Sequence, residues 1–205
     1  MKLGVYAICK NEISCIDKWL ECVKEADDVV IVDTGSTDGT WEALQQSGVR
    51  CVQKIFEPFR FDVARNYALS LVPEDCDICL PLDPDMTISN GWCEQIKKTW
   101  RDGLGVLYMP MYEPHENSAG VRACHARKGC EWVFPTYEQL RYVGDTEKCI
   151  SPIIIHTWHS GRPSPYIIPK LAKLSVEENP FNPYCRAMYE KALMDYGKFI
   201  EEAQP

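Results

Sequence analysis

The amino-acid sequence predicts an α/β fold built on a mostly parallel sheet with helices on both faces. Short apolar segments alternate with amphipathic segments of helical period through about residue 100, and this alternation is typical of parallel sheets. Three of the apolar segments end abruptly in polar clusters, at residues 10–12, 33–38 and 83–85. Because ligands of such sheets bind at the carboxyl ends of the strands, the sequence places a candidate site along one sheet edge.

The first half of the chain divides into strands and helices in regular order. The predicted strands cover residues 3–9, 29–32, 49–55 and 78–82. Apolar stripes with helical spacing lie at residues 16–23, 40–47, 64–71 and 92–100. Ser14 is the expected N-cap of the first helix, and Gly48 is expected to end the second helix as its first non-helical residue.

The second half of the chain has a different pattern. Short strand-like segments between about residues 104 and 160 predict a mixed or antiparallel extension of the sheet; they cover 104–112, 120–127, 130–134 and 149–156. Residues 165–203 fit two helices, which the Asn-Pro-Phe-Asn-Pro segment at 179–183 separates. A lone helical hairpin cannot bury its own apolar face. We therefore predict a main domain over 1–160 and a hairpin over 161–205 that docks on it or on a protein partner.

Composition and charge exclude several classes of protein. The 205 residues are 45% hydrophobic and 25% charged, which indicates a globular chain with a sizeable core. The net charge of −8 does not indicate a nucleic-acid binder, because such proteins are usually basic. No apolar run approaches the roughly 20 residues of a membrane span, and the N-terminus lacks the cleavage site of a signal peptide.

The cysteines indicate the compartment. There are 11 of them without a regular spacing, which predicts reduced thiols in a cytoplasmic protein. Cys76 and Cys79 form the sequence's CxxC pair, for which core packing is preferred to a zinc or redox site.

The Asp83-Pro84-Asp85 segment follows a buried strand and offers two carboxylates. In an extended chain the two side chains would point to the same side, about 6–7 Å apart. Mg²⁺ or Mn²⁺ is commonly held by one or two carboxylates, with water and phosphate completing its shell. The alternative is a polar turn, because Asp and Pro are frequent in turns.

Taken together, four motifs in order along the chain resemble the GT-A glycosyltransferases of family 2. They are Lys-Asn-Glu at 10–12, DTGSTDGT at 33–40, Ala-Arg-Asn at 64–66 and Asp-Pro-Asp at 83–85. The segment at 125–140, the late strand ending in His156 and the tetratricopeptide-like tail resemble later parts of that family. The resemblance implies a GT-A-like (Rossmann-like) sheet with a mixed-sheet extension and a C-terminal helical hairpin. It also implies an inverting transfer of a sugar from a nucleotide-sugar, most often a UDP-sugar, with Mn²⁺ or Mg²⁺.

The resemblance also implies roles for individual residues. Nucleotide and diphosphate contacts fall on eight positions: Lys10, Asn11, Glu12, Asp33, Ser36, Arg65, Asn66 and Asp83. Metal contacts fall on Asp83, Asp85 and His156, with His159 as the competitor of His156. Glu138 aligns with the glutamate of the family's aromatic-Pro-x-His-Glu pattern and is the candidate general base.

Two other functions compete with this interpretation. Sugar-phosphate nucleotidyltransferases also place paired aspartates beside phosphates, but residues 8–12 lack their glycine-rich loop. A degenerate nucleotide-sugar-binding scaffold is the other alternative. It rests on Met86 and Tyr137, which stand where the family has an acidic residue and a histidine. The donor sugar, the acceptor and the oligomeric state stay open.

Overall fold

The computed structural model describes residues 1–113, 118–148, 155–157 and 167–201, in which strands and helices alternate. The strands are β1 Leu3–Cys9, β2 Asp28–Asp33, β3 Arg50–Gln53, β4 Ile78–Pro81, β5 Met86–Ile88, β6 Leu104–Glu113, β7 Ser118–Ala126, β8 Glu131–Val133, β9 Gln139–Arg141, β10 Asp145–Lys148 and β11 Ile155–Thr157. The helices are α1 Ile13–Val23, α2 Thr40–Gln46, α3 Phe61–Leu71, α4 Trp92–Thr99, α5 Ile167–Glu178 and α6 Pro183–Glu201.

The central sheet runs in the order β3-β2-β1-β4-β7-β6-β11-β5, with β10 paired to β6. Strands β3, β2, β1 and β4 are parallel to one another, whereas β7 is antiparallel to both β4 and β6. Strands β8 and β9 form a separate antiparallel hairpin. The parallel sheet with a mixed extension, predicted from the sequence, is therefore confirmed.

Side chains alternate between the two faces of the parallel strands, and helices cover both faces. On β1, Leu3, Val5 and Ala7 pack on the face that carries α1, α2 and α4. Tyr6 and Ile8 pack on the opposite face, against α3 and the β8–β9 hairpin. Such burial of strands on both sides explains why their sequences are continuously apolar.

Two local predictions need correction, and one short strand was not predicted. Ser14 lies inside α1, which begins at Ile13, because the Asp38 carboxylate and not Ser14 accepts the backbone N–H of Ile13 at 3.2 Å. Residues 83–86 form a turn closed by a hydrogen bond from Met86 N–H to the Asp83 carbonyl at 2.9 Å, so the Asp-Pro-Asp segment is not extended. The short strand β5 follows this turn, and the sequence pattern did not reveal it.

Other boundaries agree with the sequence. Gly48 follows α2 at a φ of 78°, a left-handed conformation that glycine adopts without strain, as predicted. Cys76 and Cys79 are buried among apolar side chains, which agrees with the predicted core packing. Of the predicted strand at 149–156, residues 149–154 lie outside the described residues.

The C-terminal helices α5 and α6 form a hairpin that contacts the rest of the chain. Ile168, Ala172 and Ala192 pack against one another and against Phe61 and Tyr137. The boundary predicted at residue 160 lies outside the described residues and stays a prediction. No helix in the described part of the chain is both long and apolar enough to cross a membrane.

Candidate active site

The three polar clusters meet at one edge of the sheet, where neighbouring parallel strands end. Cys9 at the end of β1 lies in register with Asp33 at the end of β2, and β4 flanks β1 on its other side. Trp19 of α1 fixes the end of β4, because its Nε1–H donates to the Leu82 carbonyl at 2.8 Å. The sheet topology therefore brings residues 10–12, 33–38 and 83–85 to a common edge.

Hydrogen bonds join the loop after β1 to the loop after β2. The backbone N–H of Asn11 donates to Ser36 Oγ at 2.8 Å, and the Asn11 side-chain oxygen accepts from Thr37 N–H at 2.8 Å. Glu12 N–H donates to Thr40 Oγ1 at 2.8 Å. Asn11 has a positive φ of 59°, which asparagine tolerates better than most residues. Ser36 and Asn11 therefore shape these loops, while the Lys10 side chain is exposed beside them.

Asp33 is fully buried at the end of β2 and is held as a carboxylate. Its Oδ1 accepts from the backbone N–H groups of Gly35 and Ser36 at 2.9 Å and from Gln53 Nε2 at 3.1 Å. Burial by itself would raise the pKa of Asp33, but the hydrogen bonds from Ser36, Gly35 and Gln53 lower it below its usual value. Gln53 is the last residue of β3, and no sequence motif marked it as a partner of Asp33.

Arg65 of α3 links two acidic candidate residues. It donates from both terminal nitrogens to Asp83, each at 2.8 Å, and from Nε to Glu138 Oε1 at 2.5 Å. Burial by itself would lower the pKa of Arg65, but Asp83 and Glu138 raise it well above its usual value. Asp83, a predicted nucleotide contact, and Glu138, the candidate base, therefore share one buried cation, Arg65. A contact of Arg65 with a diphosphate stays a prediction.

Asn66, the neighbour of Arg65, binds the backbone of the β8–β9 hairpin. Its Nδ2 donates to the Trp132 carbonyl, and its Oδ1 accepts from Trp132 N–H, both at 2.8 Å. This pair of bonds positions β8 on α3, which places Glu138 beside Arg65. The structure thus gives Asn66 an anchoring contact, and the predicted nucleotide contact stays a prediction.

A chain of buried hydrogen bonds connects Trp132 of the β8–β9 hairpin to the central sheet. Trp132 Nε1–H donates to the Tyr6 hydroxyl at 2.7 Å, and that hydroxyl lies 2.8 Å from His125 Nε2. His125 Nδ1 lies 2.8 Å from the Ala126 carbonyl, which can only accept, so the neutral ring donates there and its Nε2 accepts from Tyr6. The Trp132 ring lies 5.3 Å from the Arg65 guanidinium carbon. Tyr6 and His125 are hidden in an apolar strand and a strand-like segment, so no sequence signal marked them as supports.

The residues proposed for a metal lie around the turn after β4. Asp85 sits in that turn and is partly exposed. The backbone of β11 pairs with β5 so that Thr157 lies opposite Met86 and His156 opposite Thr87. The backbone of His156 therefore lies opposite a position two residues after Asp85, and a metal contact of its side chain stays a prediction. His159 lies outside the described residues.

The donor set fits a hard divalent cation. Within the described ranges there is no group of three or more His, Cys, Asp or Glu residues placed to hold a metal. Mg²⁺ and Mn²⁺ do not require one, because one or two carboxylates together with phosphate oxygens and water suffice. Carboxylates also outnumber cations at this edge, since Arg65 is shared between Asp83 and Glu138.

Solved structures show the same fold at low sequence identity. TarS of S. aureus (residues 1–349) superimposes with a TM-score of 0.59 over 97% of this chain and 73% of that chain, at 14% identity. Glucosyl-3-phosphoglycerate synthase from Mycobacterium tuberculosis superimposes with a TM-score of 0.56 over 81% of this chain and 73% of that chain, also at 14% identity. The structure is therefore a GT-A glycosyltransferase fold.

Sequence comparison identifies the family. The model of glycosyl transferase family 2 matches residues 5–162, more than half of the chain. A curated relative, the lipopolysaccharide core biosynthesis glycosyltransferase LpsC of Rhizobium meliloti (strain 1021), is 34% identical over 91 residues. That alignment covers 42% of this chain and 32% of LpsC. The chain belongs to glycosyl transferase family 2, which favours sugar transfer over the nucleotidyltransferase alternative.

Proposed function

We propose that the protein transfers a sugar from a UDP-sugar to an acceptor hydroxyl, with inversion at the anomeric carbon and with Mn²⁺ or Mg²⁺. The observation that carries this proposal is the meeting of Asp33, Asp83, Asp85 and Glu138 at one sheet edge. TarS has been solved with UDP-GlcNAc, and glucosyl-3-phosphoglycerate synthase with Mn²⁺ and UDP. Both complexes support a nucleotide-sugar donor for a chain of the same fold.

Each residue has a defined task in this proposal. The loops around Asn11 and Ser36 form the nucleotide pocket, with the buried carboxylate of Asp33 at its base. Lys10 and Glu12 line the pocket, and Asp83 contacts the nucleotide from the end of β4. Asp85 would hold the cation, together with Asp83 and His156. When bound, the cation offsets negative charge on the diphosphate as UDP departs.

Glu138 acts as the general base in one displacement. The acceptor oxygen bonds to the anomeric carbon while its proton passes to the Glu138 carboxylate. The bond between the anomeric carbon and the diphosphate oxygen breaks, and its electron pair leaves with UDP. Arg65 positions Glu138 through the hydrogen bond from Nε. Because the acceptor displaces UDP in a single step, the configuration at the anomeric carbon is inverted.

A thermal-shift experiment tests donor and metal together. UDP, GDP, CDP and dTDP are each added with and without Mn²⁺, because a ligand that binds only the folded state raises the melting temperature. We expect a Mn²⁺-dependent rise with UDP that is lost in Asp85→Ala. The matched control Asp17→Ala changes an exposed aspartate of α1 and should keep the rise. A rise with UDP that is equal with and without Mn²⁺, or its survival in Asp85→Ala, contradicts the metal assignment.

A further inference from the structure

A cleft of about 540 Å³ lies between the start of α3, the β8–β9 hairpin and the turn that joins α5 to α6. This volume is within the range of small-molecule sites. The hairpin supplies one wall, including Gln139, and the α5–α6 turn supplies another, including Asn179. The C-terminal helices therefore help to build a concave surface and do more than cover the main domain.

The charges that line the cleft compensate one another. Arg60 donates from Nε to Asp62 at 3.1 Å and from its terminal nitrogens to Glu178 at 2.5 and 3.0 Å. Arg141, the other basic residue of the lining, pairs with Glu131. A site for a phosphate or carboxylate needs cations that are not already committed to carboxylates. The lining thus disfavours an anionic ligand.

The remaining lining suits a neutral ligand rich in hydroxyl groups. Gln139, Asn179 and Asn182 carry side-chain amides, which combine donors with an acceptor. Within the protein, Asn179 Nδ2 donates to the Ser175 carbonyl at 3.2 Å and Asn182 Oδ1 accepts from Tyr184 N–H at 3.0 Å, so each of these two amides has one atom already bonded. Trp132, Phe134 and Leu140 contribute apolar surface to the same cleft. A sugar ring has hydroxyl groups that pair with amides and carboxylates, and C–H faces that pack on apolar and aromatic side chains.

The cleft and the candidate base belong to the same part of the chain, the β8–β9 hairpin and its connecting loop. Glu138 directly precedes β9, whose residues form one wall, and Trp132 contacts both the cleft and Arg65. We infer that this cleft binds a neutral sugar ring of the acceptor, next to the segment that carries Glu138. This inference rests on the proposed function, and it adds the chemical class of the acceptor and a role for the α5–α6 turn.

An NMR titration with simple sugars tests the inference. The ¹⁵N-labelled protein is titrated with the methyl glycosides of glucose, galactose, mannose and N-acetylglucosamine, and separately with glucose 1-phosphate and methyl glucuronide. We expect at least one neutral glycoside to shift the Gln139 and Asn179 side-chain amide signals saturably. Gln139→Ala and Asn179→Ala should each raise its Kd about three- to tenfold, the effect of one lost hydrogen bond. Gln46→Ala, the same change at an exposed position of α2, should leave the Kd unchanged.

The outcomes separate the cleft from the donor site. Absence of a saturable shift with every neutral glycoside, binding of the anionic probes alone, or a Kd that is insensitive to both cleft variants would overturn the inference. If UDP still raises the melting temperature in that case, the donor proposal stands and only the acceptor assignment fails. If a neutral glycoside binds through Gln139 while no nucleotide binds, the cleft stands and the proposed function fails.

Discussion

Arg65 and Asp83 form a paired, two-bond contact, with both terminal nitrogens of the guanidinium 2.8 Å from the carboxylate oxygens. The side chains are 8% and 17% exposed. The same guanidinium binds Glu138, which is 14% exposed, through Nε. One buried cation thus connects the end of β4 to the β8–β9 hairpin and sets the distance between two acidic residues of the candidate site.

Loss of this cation should destabilise the fold strongly. Arg65→Ala leaves Asp83 and Glu138 as two largely buried carboxylates without their common partner, and breaking such a pair costs about 3–5 kcal/mol. Urea unfolding measures the change in the free energy of unfolding. Arg101→Ala is the control, because Arg101 is 52% exposed and pairs with surface residues. That variant should lose less than about 1 kcal/mol. Equal losses in the two variants would show that Arg65 has no special structural role.

Removal of the charge on Glu138 should strongly slow sugar transfer but leave donor binding unchanged. Glu138→Gln keeps an oxygen that accepts from Arg65 Nε but cannot take a proton from the acceptor. We expect UDP release from a UDP-sugar to fall by about 10²- to 10⁴-fold, while the Mn²⁺-dependent thermal shift with UDP persists. Glu74→Gln changes an exposed glutamate and serves as the matched control. Full turnover in Glu138→Gln would assign the base elsewhere.

Asp33 should make stability depend on acid pH. Its pKa is lowered in the folded state by hydrogen bonds that outweigh the effect of burial. It therefore contributes stability above the unfolded-state pKa of about 3.9, and this contribution is lost as pH falls through the lowered folded-state value. The difference in unfolding free energy between the wild type and Asp33→Asn should shrink below about pH 4.

A second variant probes the cause of this pH dependence. Gln53→Ala removes the donor that lies 3.1 Å from Asp33 Oδ1. It should move the acid-induced loss toward higher pH, because one of the bonds that favour the carboxylate is gone. A difference between wild type and Asp33→Asn that stays constant from pH 6 to pH 2 would refute the assignment.

The strand ends were predictable from the sequence, but the partners of the side chains were not. Buried parallel strands give continuous apolar runs, so the positions of Asp33 and Asp83 followed from where those runs stop. Arg65 lies 18 residues from Asp83 and 73 from Glu138, and no local periodicity carries such a pairing. The sequence left the turn at Asp83 as one of two alternatives, because Pro84 permits both an extended segment and position i+1 of a turn. The hydrogen bond from Met86 N–H to the Asp83 carbonyl shows that the segment is a turn.

His125 should impose a second pH dependence, at less acidic pH. Burial lowers the pKa of His125 to about 4. The unfolded chain therefore binds a proton at His125 below about pH 6.5, whereas the folded chain does not until about pH 4. Stability is fully present above pH 6.5 and decreases as pH falls between these values, by about 3 kcal/mol in total. The free energy of unfolding measured by urea from pH 7.5 to pH 4.5 checks this.

His125→Gln isolates this contribution. Glutamine does not titrate, and its amide can donate to the Ala126 carbonyl while its oxygen accepts from the Tyr6 hydroxyl, as the neutral ring does. The variant should therefore lose less stability than the wild type over the same pH range, while the chain from Trp132 through Tyr6 is kept. Parallel pH profiles for the two proteins would mean that His125 accepts its proton in the folded state as easily as in the unfolded chain. The bond between His125 and the Tyr6 hydroxyl would then be reversed, with both ring nitrogens donating, while Trp132 Nε1–H still donates to that hydroxyl.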